Sequence, residues 1–94
     1  MKMEIEDRGW HMLCHSVLHK QTLFDYAISK GVLISSNRGF NRKAYREDEH
    51  LSIGWWDHHG GGGKGLMSYD STSKANTSEA EFRAMCDAYA QDHA

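Results

Sequence analysis

Proline is missing from the chain altogether, cysteine occurs only as Cys14 and Cys86, and the longest apolar run, Gly31 to Ile34, is trivial. A membrane span needs about 18 consecutive apolar residues, so none is encoded here. Two cysteines far apart in the chain make neither a disulfide scaffold nor a zinc ribbon, and both read as reduced thiols. The opening residues, Met1-Lys2-Met3-Glu4-Ile5-Glu6-Asp7, put acids where a signal peptide needs an apolar region. A cytoplasmic protein, neither secreted nor membrane-bound, is therefore expected. The 94 residues suffice for one domain, 1–94, around a single modest core.

A strong excess of one charge is also lacking, since the formal net charge is −2. The charges are nevertheless segregated. Residues 1–46 carry eight Lys/Arg against four Asp/Glu, and residues 47–94 carry three against nine. Such halves either lie side by side and attract one another or present two faces to two kinds of partner.

With no proline to interrupt it, the segment at about 7–30 reads as an amphipathic helix. Trp10, Cys14, Val17, Phe24 and Ile28 form its stripe, Leu13 and Leu18 flank it, and Gly31 ends it. A break near Lys20 is the alternative, because Thr22-Leu23-Phe24-Asp25 has the form of a capping box. Strands are expected at about 31–35, 50–57 and 65–70, the last two forming a hairpin around the glycine run Gly60 to Gly63. Ser78-Glu79-Ala80-Glu81 is a second capping box. Phe82, Met85, Cys86 and Tyr89 follow at helical spacing, which predicts a helix at about 79–92. The fold class that results is α+β: N-terminal and C-terminal amphipathic helices packed on one face of a small, mostly antiparallel sheet of about three strands.

Four groups of residues could carry chemistry. His11, His15 and His19 recur every four residues, so on one helix they would share a face able to hold a divalent metal, although no His-Glu-x-x-His pattern accompanies them. Gly61, Gly62, Gly63 and Lys64 could cradle a phosphate with backbone N–H groups, yet Gly65 stands where the Walker pattern needs a hydroxyl. Arg38, Phe40, Arg42, Lys43, Tyr45 and Arg46 mix cations with aromatics in the manner of a nucleic-acid or nucleotide contact within residues 38–46, beside the acids Glu47-Asp48-Glu49. Trp55 and Trp56 are consecutive, so on a strand they point to opposite faces. If Trp55 is buried, Trp56 lies on the other face, with Ser52 and Gly54 for neighbours, and is a natural protein-contact anchor.

No serine–histidine–acid or cysteine–histidine arrangement follows from the spacing, so a non-catalytic protein without a cofactor is expected. A stoichiometric inhibitor or adaptor acting on a protein complex fits best, such as the anti-defence inhibitors (anti-CRISPR proteins among them) of phage and mobile elements. Trp56 and the segment with Arg38, Phe40, Arg42, Lys43, Tyr45 and Arg46 would form the contact. Binding of a nucleotide or other phosphorylated ligand through the glycine loop and the basic segment, and metal binding through the histidines, are the alternatives.

Overall fold

The computed structural model describes residues 3–35, 42–57, 63–70 and 74–93, the side chains of 42–44 excepted. Ser16 decides where the first helix starts. Its backbone is extended, and its hydroxyl accepts the His19 N–H at 3.1 Å, the bond of an N-cap. Helix α1 therefore spans Val17–Ser29, and the expected helix at 7–30 loses its first half. Residues 10–14 are extended instead and contain strand β1, Met12–Leu13. Trp10, Met12 and Cys14 alternate inward and are all buried, whereas Leu13 between them is exposed. The stripe on α1 shifts accordingly. Lys20, Leu23, Phe24 and Ala27 face the interior, while Ile28 turns outward.

Gly31, at φ 82°, ends the helix as expected. Its N–H donates to the Ile28 carbonyl and the Val32 N–H to the Ala27 carbonyl, the paired bonds of a Schellman motif. The expected strand at 31–35 shrinks to a single parallel bridge, Ile34 to Leu66. The basic stretch, for which no helix or strand was expected, contains helix α2, Arg42–Glu47. Strands β2, Ser52–Trp56, and β3, Gly65–Tyr69, form the expected hairpin, and helix α3 spans Glu79–Asp92 behind a complete Ser78/Glu81 capping box.

The three strands lie in the order β1-β2-β3, all antiparallel, so the architecture is α+β as the sequence implied. Register assigns the faces. Met12, Ile53, Trp55, Leu66 and Ser68 share the inner face, and all are buried. Leu13, Ser52, Gly54, Trp56, Met67 and Tyr69 share the outer face. Asn76 closes the start of the β1 edge: its amide donates to the Gly9 carbonyl and accepts from the His11 N–H.

On the inner side the fully buried Lys20 reaches from α1 to the turn after α2. Its ammonium donates to the Asp48 carboxylate and to the carbonyls of Asp48 and His50. The same carboxylate accepts from the Ser68 hydroxyl on β3 and from the His50 N–H. Phe82 of α3 is fully buried, with its ring centroid 5.8 Å from that of Trp10, so α3 is docked on the N-terminal segment as well as on α1.

Two substitutions test this packing. Phe82→Ala is expected to cost about 3–5 kcal/mol in chemical denaturation, as for other buried rings. At Gly65, with φ 150°, a Cβ would stand 2.7 Å from the Leu33 carbonyl oxygen and 2.7 Å from the Ser35 nitrogen. Both neighbours are backbone atoms held by the bridge, where the Leu66 N–H donates to Leu33 and the Ser35 N–H to Leu66. Gly65→Ala should therefore cost about 2 kcal/mol or more and unpin residues 32–35; an unchanged denaturation midpoint would show that the bridge is not held this way.

Candidate functional site

The outer sheet face is built by strand alternation alone. Once Ile53 and Trp55 are turned inward, Gly54 and Trp56 must face outward, and pairing places Met67 opposite Gly54 and Gly65 opposite Trp56. Gly54 matters because of Tyr69. A Cβ at residue 54 would lie 2.8 Å from the Tyr69 ring, so the ring lies across the glycine and closes the gap in the sheet surface. Burial pushes the Tyr69 phenol above its ordinary range. Trp56, Met67 and Tyr69 are each half-buried, and Leu13 is 56% exposed. Beside Tyr69 a shallow depression of about 370 Å³ opens between Leu13, Leu51 and Asp70. The result is an aromatic and aliphatic surface with a small polar-edged recess next to it.

The other expected sites fare differently. His11, His15 and His19 do not share a helix: His11 precedes β1, His15 lies in the turn before α1, and only His19 is helical. Extended backbone at residues 10–14 removes the four-residue periodicity on which the shared face depended. His19 also has both ring nitrogens engaged. Its Nδ1 accepts the His15 N–H at 3.0 Å, which leaves the proton of the neutral ring on Nε2, donated to Glu79 at 2.7 Å. The His15 and His19 rings stack at 4.7 Å. Among the described residues, no three His, Cys, Asp or Glu side chains are grouped to hold a metal ion.

Within the basic segment, Tyr45 is buried in the core and so is not available as a contact residue. Arg46 is held in a two-pronged bond to Asp25, with Nε to Oδ1 at 2.8 Å and Nη2 to Oδ2 at 3.0 Å. Arg42 and Lys43 lie in α2, while their side chains, together with Arg38 and Phe40, lie outside the described residues. In the glycine loop, Gly61 and Gly62 likewise lie outside the described residues. Lys64 is exposed, and the Gly63 carbonyl accepts the Ser35 hydroxyl. The buried thiols are poor nucleophiles, because burial pushes Cys14 up to about 11 and Cys86 up to about 12.

The chain matches no protein-family model, no curated protein and no solved structure. Among the described residues, no helix is long and apolar enough to cross a membrane.

Sequence reasoning missed three engaged carboxylates, Glu79, Asp25 and Asp87, that link the helices to one another. Glu79 is held below the usual carboxylate range by the bond from His19 and then by that from Arg83, and Asp25 by the fork from Arg46. Asp87 is held low by the Tyr26 hydroxyl and by Lys30. Each folded-state value lies below the unfolded one. The stabilisation is therefore fully present above the ordinary carboxylate range, about pH 4, and is lost as the pH falls through the depressed values. The melting temperature should hold level from pH 7 to about pH 5 and drop below about pH 4, with Asp25→Asn showing a shallower drop than the wild type. Melting curves across that range check the sign, and a melting temperature that rises on acidification would contradict it.

Proposed function

We propose that this chain is a non-catalytic protein-binding module, a stoichiometric inhibitor or adaptor of a protein complex, that docks through the outer face of its sheet. The observation that carries the reading is that Trp56 and Tyr69 stand on one face of the sheet, where Leu13 remains 56% exposed and Met67 is half-buried. Tryptophan and tyrosine are the side chains on which interfaces concentrate their energy, because each brings a large apolar body with a polar tip. Methionine adapts its shape to a partner at little cost. The recess bounded by Leu13, Leu51 and Tyr69 adds a place for a partner's side chain. The Lys20 network lies on the opposite face, so this surface can be covered without disturbing it. A role against host defence systems, of the kind phage and mobile elements encode, is the biological setting this reading would suit.

The test is parallel purification of tagged wild type and Trp56→Asp from the cells that make the protein, followed by native mass spectrometry. A protein bound in fixed stoichiometry to the wild type is expected. Trp56→Asp should weaken that complex by about 30-fold, the equivalent of a 2 kcal/mol hot spot, with little change in melting temperature. Loss of folding in Trp56→Asp would place that side chain in the core instead, and a bound nucleotide in place of a protein would turn the assignment to the glycine loop.

A further inference from the structure

Away from the sheet face, one side of α3 borders an open cleft. Phe82 and Cys86 are fully buried and Met85 and Tyr89 nearly so, while the exposed Glu81, Ala84, Ala88 and Asp92 recur at helical spacing beside them. The N-terminal segment with Met3, Ile5 and Trp10 runs opposite that side; the Trp10 indole donates to the Ile5 carbonyl at 2.9 Å within the segment, and the Trp10 ring packs on Phe82 of α3. Ala84 and Ala88 are too short to close the gap. An open cleft of about 560 Å³ remains between the segment and the helix, within the roughly 300–1,000 Å³ range of ligand sites.

The floor of this cleft is apolar, and its rim is acidic. Glu4 and Glu6 stand on one wall, Glu81 and Asp92 on the other. Among the described residues no Lys or Arg lines it. His93 does, stacked on the Tyr89 ring at 3.8 Å and 4.0 Å from Glu6. Glu81 and Asp92 sit at opposite ends of α3, about 16 Å apart along the helix axis. That spread decides between occupants. A compact organic cation could meet the carboxylates at one end only, whereas a peptide with basic residues at both ends and apolar side chains between them meets both.

We infer that this cleft is a docking groove for a basic, amphipathic segment of another protein, which lays its apolar side chains on Met3, Ala84, Ala88 and the exposed edges of Met85 and Tyr89, and its Lys or Arg side chains against the rim carboxylates. The groove is separate from the outer sheet face, so it stands whether or not that face binds a partner.

The experiment uses the full chain and a fluorescein-labelled 12-residue peptide built of Lys-Leu-Leu-Lys blocks, followed by fluorescence anisotropy. The control peptide carries Glu at every Lys position. The wild type should bind the Lys peptide at least tenfold more tightly than the Glu peptide, with affinity falling as salt is raised. Ala88→Arg, which fills the groove and adds a cation, should weaken binding at least tenfold. Glu4→Gln combined with Asp92→Asn, two exposed changes that spare the fold, should do the same. Equal binding of the two peptides, or indifference to both groove variants, would overturn the assignment. Displacement of the peptide by hexyltrimethylammonium at equal concentration would make the cleft a small-molecule site, and a dimer of the free chain abolished by Ala88→Arg would make it a self-association surface; either result also overturns it.

Discussion

Lys20 is fully buried, and its three ammonium protons meet three acceptors: the Asp48 carboxylate and the carbonyls of Asp48 and His50. Moving an ammonium out of water costs several kcal/mol even after relaxation, so the site persists only because every donor is satisfied. The carboxylate is equally engaged. It receives the Ser68 hydroxyl and the His50 N–H, and Ser68 also reaches the Tyr45 carbonyl. One charge pair thereby joins α1, the end of α2, the entry to β2 and the last part of β3. All of these contacts lie on the inner face of the sheet, which is why the outer face is left for Trp56, Met67 and Tyr69.

The same pairing explains what happens to the segregated charge. Lys20 with Asp48 and Lys30 with Asp87 tie the basic first half of the chain to the acidic second half, so much of the imbalance is spent inside the molecule. Arg46 is taken up by Asp25 within the first half. The acids not used in this way include those that rim the cleft along α3. The fold thus leaves two chemically distinct surfaces, one aromatic on the sheet and one apolar with an acidic border beside the last helix.

How far all this was legible depends on the element. The last helix and the hairpin were readable because their signals are local: a capping box with its stripe, and two alternating runs around glycines. The first helix was misread for a specific reason. Trp10 and Cys14 are four residues apart, a spacing that satisfies both a helix period and two strand periods, and Met12 between them was the residue that decided for a strand. Placing the stripe on Trp10 and Cys14 then hid Lys20, although it stands at helical spacing with Leu23, Phe24 and Ala27, the positions that the structure buries. The outward turn of Trp56 followed from alternation once Trp55 was placed inside. Tyr69 lying over Gly54 did not follow, because that contact depends on the register between β2 and β3. The cleft beside α3 was equally hidden, since it needs the path of residues 3–10 against the helix.

A double-mutant cycle on Lys20 and Asp48 tests most directly whether this pair holds the helical layer to the sheet. Equilibrium denaturation of Lys20→Met, Asp48→Asn and the double variant yields the coupling. If the pair is the junction described, each single substitution strands a buried polar partner and costs about 3–5 kcal/mol. The double variant then falls short of the summed losses by about 1–3 kcal/mol. Losses that simply add, or single variants as stable as the wild type, would show that Lys20 and Asp48 are neighbours without being the junction.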